Sequence, residues 1–154
     1  MNLIIGLGNI LLTDEGIGIH VLKELEKRNN ILNAEFLDLG TSSLDLEYFI
    51  KDDTKKIAVI DCIKTTGYNY GEVFKLSCDD LKQKRNSGYS LHQLEFIDSI
   101  NLISLLSELP SILIFGIVPF DTKSPSLDLS DPLKEKFSVI TEKIENEINI
   151  FFNQ

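Results

Sequence analysis

Cysteine is scarce in this chain. Of its 154 residues only Cys62 and Cys78 carry thiols, and they form neither a C-x-x-C pair nor a cluster. Two isolated cysteines supply no disulfide framework and no cysteine-based zinc site. Long apolar runs are missing as well. None approaches the roughly 20 residues that span a bilayer. The N-terminal MNLIIGLG has no basic n-region and no cleavage site, so no signal peptide is read there. A cytoplasmic protein with no membrane partner is the expectation. Cations are in deficit: 15 Lys and Arg stand against 24 Asp and Glu, a net charge of −9. Such a chain is repelled by phosphate backbones, so no nucleic-acid partner is expected, whereas a basic protein segment would suit it. Internal repeats, low-complexity tracts and linkers are absent too, which predicts a single domain over 1–154.

What is present is an alternation of apolar strands and amphipathic helices. NLIIGLG is a short apolar run that ends at glycine, the mark of a buried strand. The spacing of Ile17, Val21, Leu22 and Leu25 predicts a helix from about Asp14 to Arg28. Ala34–Leu39 reads as a strand, Ser43–Ile50 as a short helix, and Lys56–Cys62 (KIAVIDC) as a central strand. Glu72–Leu76 alternates like a half-exposed strand. It follows a short connection, so it is expected to pair antiparallel with its predecessor as a hairpin. Cys78–Ser90 is polar and reads as loop. Leu91–Leu109 is helical, Ser111–Val118 a buried strand, Pro119–Asp128 a loop, and Pro132–Phe151 a closing helix introduced by Ser130-Asp131-Pro132. The expected fold is α/β: a three-layer sandwich with a five-stranded, mostly parallel twisted sheet, one strand antiparallel, flanked by helices.

The stretch GLGNILLTDEGIG, from Gly6 to Gly18, decides between two kinds of chemistry. A dinucleotide fingerprint needs a third glycine at position 11, and Leu11 stands there instead. Asp14 and Glu15 would repel a pyrophosphate at the helix start. No P-loop and no G-x-S-x-G elbow occurs, which excludes the P-loop NTPases and makes a serine-triad hydrolase improbable. No permanently bound organic cofactor is expected.

The acids point elsewhere. In open α/β sheets ligands lie beyond the carboxyl ends of strands, where strand order reverses. Glu15 follows the first strand and Asp61 ends the third. If those strands are neighbours, both carboxylates face one crevice. His92, at the head of a helix, completes an O,O,N set that suits a borderline divalent ion such as nickel or zinc. Plainer readings stay open at this point. Asp61 could be a turn residue, Glu15 a partner of the helix dipole, and His92 a helix-start residue. His20 falls on the polar face of the first helix and reads as a surface histidine. Cys62 reads as a small core residue, and Asp38 as a turn acid before a permissive glycine.

Together these blocks resemble the nickel–iron hydrogenase maturation endopeptidases. GLGNILLTDEGIG is similar to that family's opening motif, and FLDLGTSSLDL to its second block. VIDCIK, SLHQLEF and LIFGIVPFDTKSPSLDLSDPL follow in order over nearly the whole chain. The resemblance implies a protease that removes the C-terminal extension of a hydrogenase large-subunit precursor after nickel insertion. It implies Glu15, Asp61 and His92 as the metal-binding trio, with the nickel carried by the substrate precursor, and Asp38 as a further functional acid. The partner would be the precursor, and the protein itself a monomer. Cys62 stands where alanine-sized residues are common in the family, and Leu39 where glycine is common. Two other readings are a non-cleaving, metal-sensing assembly factor and a peptidyl-tRNA hydrolase. The latter shares G-L-G-N but needs an early histidine, where this chain has TDEG.

Overall fold

Three apolar runs form the centre of a sheet because each can bury both of its faces. A computed structural model describes residues 1–43, 46–83 and 91–154, and gives residues 81–83 and 91–92 as backbone. Its strands are β1 (Asn2–Leu7), β2 (Ala34–Gly40), β3 (Lys56–Cys62), β4 (Val73–Leu76) and β5 (Ser111–Ile117). They form a five-stranded sheet in the order β2-β1-β3-β5-β4. β1 pairs in parallel with β2 and β3, β3 pairs in parallel with β5, and β4 runs antiparallel against β5. The neighbouring positions of β1 and β3 meet the condition set by the sequence.

The helices are α1 (Ile17–Arg28), α2 (Leu46–Phe49), α3 (Cys78–Gln83), α4 (Leu91–Leu106) and α5 (Asp131–Asn153). α1 and α5 cover one face of the sheet. Val21, Leu22 and Leu25 of α1 and Ile140, Ile144 and Ile148 of α5 pack against Ile4, Ile60 and Phe115. Phe96, Ile97 and Ile100 of α4 and Leu46 of α2 cover the other face, against Leu3, Ile5, Ile57 and Val59. Alternation along each strand divides the core in this way. Among the described residues no helix is long and apolar enough to cross a membrane.

Two expectations are corrected. β4 does not pair with β3 as a hairpin, because β5 lies between them. β3 is buried along almost its whole length and needs a fully apolar neighbour on each side, which SILIFGI supplies. VFKL, with the exposed Lys75, suits the sheet edge. The polar stretch after Cys78 is also not all loop, since Cys78–Gln83 is helical. Its start is a reciprocal cap. Asp80 accepts from the Ser77 N–H and hydroxyl at 2.7 and 2.8 Å, and the Asp80 N–H donates to Ser77 Oγ at 3.2 Å. The remaining boundaries fall within a few residues of the expected ones, apart from the predicted Ser43–Ile50 helix, of which Leu46–Phe49 is helical.

Candidate active site

The chain leaves β1 toward β2 on one side and later adds β3 on the other, so strand order reverses between β1 and β3. The carboxyl ends of these two strands therefore frame the crevice where α/β folds bind ligands. Glycines make the frame tight. Gly8 has φ +135, and a Cβ there would lie 2.0 Å from the Glu15 carbonyl oxygen. A Cβ on Gly18 would lie 2.4 Å from the carbonyl oxygens of both Leu7 and Ile60. The start of α1 thus presses directly onto the ends of β1 and β3, closer than any side chain allows.

The segment joining β1 to α1 is a turn, Thr13–Gly16, wound as a 3-10 helix. Asn9 begins the approach, its side-chain oxygen accepting from the Leu11 N–H at 3.0 Å. Thr13 has φ +52, an uncommon conformation for a β-branched residue. Its hydroxyl donates to the Ser124 carbonyl. The turn packs against β3.

The two acids of the turn diverge completely. Asp14 is fully buried. Its carboxylate accepts from the N–H groups of Phe120, Asp121 and Ser130 at 3.0, 2.8 and 2.8 Å, and from the Ser130 hydroxyl at 2.7 Å. It staples the 119–130 loop to the turn. Ser130 precedes α5, and its hydroxyl is spent on Asp14 rather than on capping that helix. Glu15 is only partly buried.

Asp61 lies at the end of β3 and is 2% exposed. Its side chain points to the α4 face, the side opposite Ile60. The Cys62 N–H donates to Asp61 Oδ1 at 2.7 Å, and Gln93 Nε2 donates to Asp61 Oδ2 at 2.8 Å. The charges of Glu15 and Asp61 both bear on Cys62. Burial foremost, then the negative charges of Asp61, Glu15 and Asp14, push the Cys62 thiol well above its ordinary pKa. Cys62 is consequently a neutral thiol at physiological pH and no ready nucleophile.

His92 occupies the first turn of α4, beside Gln93, and its side chain lies outside the described residues. Gln93 nonetheless ties this turn of α4 to the end of β3. Among the described residues no three His, Cys, Asp or Glu side chains form a metal-sized cluster. Asp38 sits elsewhere in the frame. It pairs with Gly6, which in turn pairs with Ile60, so its side chain is on the α1 face. It is 43% exposed, 3.7 Å from Lys23 Nζ, and its Oδ1 accepts from the Gly40 N–H at 3.0 Å. Asp38 therefore stands one strand away from the β1–β3 seam, on the opposite face of the sheet from Asp61.

Local sequence reading missed two of these residues, Asp14 and Gln93. A third, His20, is corrected. It is not a fully exposed histidine: it is half-buried, hydrogen-bonds the Leu127 backbone in the 119–130 loop, and among the described residues its buried Nε2 has no hydrogen-bond partner. Burial, then the charge of Lys23, lower its pKa from the ordinary histidine value.

Comparison with known proteins agrees with this frame. HupD of Bradyrhizobium diazoefficiens, a hydrogenase expression/formation protein, is 31% identical over 141 residues, covering 88% of this chain and 71% of its own. The fold superposes on the hydrogenase maturating endopeptidase HybD from Escherichia coli with a TM-score of 0.80, at 24% identity, over 93% of this chain and 88% of that one. It also superposes on the [NiFe] hydrogenase maturation protease HybD from Thermococcus kodakarensis, with a TM-score of 0.77, 27% identity and coverage of 94% and 97%. The family model described as hydrogenase maturation protease matches residues 19–147, and the chain belongs to that family of endopeptidases.

Proposed function

We propose that this protease trims the C-terminal extension of a nickel–iron hydrogenase large-subunit precursor, and that it does so by reading nickel already seated in the precursor. The observation that carries the reading is the meeting of three elements at the strand-order reversal. The turn bearing Glu15, the β3 end bearing Asp61, and the first turn of α4 bearing His92 adjoin there, the last two joined through Gln93. Two carboxylates and an imidazole are a mixed oxygen and nitrogen donor set that suits nickel. Three donors leave coordination positions for ligands the precursor brings, so the metal acts as part of the substrate and as its docking point.

In this scheme Glu15, Asp61 and His92 take hold of the substrate's nickel and align the chain that leaves it. Water then attacks the scissile carbonyl. The C–O bond forms, the C–N bond breaks, and the water proton passes through a carboxylate to the departing amine. Asp38, on β2 one strand from the seam and on the other face of the sheet from Asp61, is the carboxylate proposed for that transfer, reached by substrate chain that crosses the carboxyl ends of the strands. Its Oδ1 is oriented by the Gly40 N–H, and the partner Lys23 offsets its charge.

The test is a mass measurement of precursor before and after mixing with the protease. Nickel-loaded precursor should lose one C-terminal fragment, and nickel-free precursor should stay intact. Efficient cutting of nickel-free precursor would overturn metal recognition. No cutting of the loaded form would favour a non-cleaving assembly factor.

A further inference from the structure

Gln93 is 5% exposed, and its amide nitrogen has two hydrogens to place. One goes to Asp61 Oδ2 and the other to the Cys62 carbonyl oxygen, both at 2.8 Å. Two oxygens facing one end of the amide settle its orientation, since the reverse flip would set Oε1 against both acceptors. The amide plane is thereby fixed by two points on β3. Asp61 is correspondingly gripped at both ends, by the Cys62 N–H on Oδ1 and by Gln93 on Oδ2.

From this geometry we infer that Gln93 is a positioning residue, orienting the Asp61 carboxylate toward the substrate's metal and holding the His92 turn of α4 against the end of β3. The inference rests on the function proposed above. Carboxylates that ligate metals are themselves held by outer hydrogen bonds, and loss of such a partner costs about 10–100-fold in metal affinity or activity. No other common side chain serves equally well here. Glutamate would bring a second carboxylate against Asp61 and a carbonyl oxygen. Leucine fills the space but donates nothing. Asparagine is one methylene too short to span both acceptors.

The experiment compares the full-length protein with Gln93→Leu and Gln93→Asn, below their melting transitions. Nickel-loaded precursor measures kcat and KM, and Ni²⁺ alone, titrated calorimetrically, measures metal affinity. Lost orientation acts on docking, so KM should rise on the order of 10–100-fold while kcat changes little. Ni²⁺ affinity should weaken in parallel. A purely structural role would lower the active fraction, and with it the apparent kcat, and leave KM and Ni²⁺ affinity unmoved. That pattern, or wild-type values in both variants, would overturn the inference. Should Gln93→Leu not fold, Gln93→Asn is read by the same criteria. If the intact protein fails to cut loaded precursor, the proposed function falls. The Ni²⁺ titration then still decides whether Gln93 orients Asp61.

Discussion

Asp14 and Glu15 are adjacent acids in one turn, and replacing each by alanine should give opposite phenotypes. Asp14→Ala removes the acceptor for three backbone N–H groups and one hydroxyl. A donor stranded in a buried site costs about 1–3 kcal/mol. Water can enter the space the carboxylate vacates, so the lower part of that range applies to each of the three N–H groups. The sum is about 3–5 kcal/mol, a large share of the roughly 5–15 kcal/mol that holds a typical domain together. For a chain of this length it corresponds to a melting temperature lower by roughly 6–20 °C. Asp14→Asn should recover little, because one end of the amide presents hydrogens to the same donors. Glu15→Ala removes a partly exposed side chain and should change stability by less than about 1 kcal/mol, while abolishing precursor cleavage. Urea unfolding followed by far-UV circular dichroism gives both stabilities by linear extrapolation. A loss below about 1 kcal/mol for Asp14→Ala, or an equal loss for Glu15→Ala, would refute the division of labour argued here.

Two further outcomes follow from the titratable groups. Cys62, buried and surrounded by negative charge, should react with a disulfide reagent at pH 8 far more slowly than the partly exposed Cys78, and Cys62→Ala should retain cleavage; rapid modification or lost cleavage in a folded variant would reinstate it as a nucleophile. The lowered pKa of His20, caused first by burial and then by Lys23, means that the unfolded chain binds its proton more readily than the folded one. Its contribution to stability is therefore fully present above about pH 6.5 and is lost as pH falls through the folded value. Denaturation midpoints measured from pH 5 to pH 8 should show this slope in the intact protein and a flatter one in His20→Gln.

The central strands were legible because short, continuous apolar runs leave little alternative, and Lys56–Cys62 begins and ends where the sequence placed it. The adjacency of β1 and β3, on which the reading of Glu15 and Asp61 depended, is met by the sheet order. α3 was passed over because its six residues include only one large aliphatic, Leu81, although the Ser77-x-x-Asp80 spacing of a reciprocal cap was there to be read. The role of Asp14 was not legible because its partners lie more than a hundred residues away, at Phe120, Asp121 and Ser130. No local pattern carries that information. The contact of His20 with Leu127 was hidden for the same reason: helical periodicity marks a polar face and says nothing of a distant loop that meets it. Gln93 carries no charge and no period, so only the closure of α4 onto β3 gives it meaning.

The β1–β3 seam also governs how the protein comes into being. Asn2 stands opposite Lys56, and Lys56 in turn opposite Ser111, so each parallel pairing closes a long stretch of chain. Such closures are slow compared with helix and hairpin formation. β1, α1 and β2 form a nearly local unit that can assemble early during synthesis. The turn that carries Glu15 cannot be finished with them, because Asp14 ties it to Phe120, Asp121 and Ser130 near the other end of the chain. On the proposed function, a nascent or half-folded chain lacks the finished turn and so has no grip on its target. Under the function proposed above, proteolytic competence is therefore tied to completion of the fold.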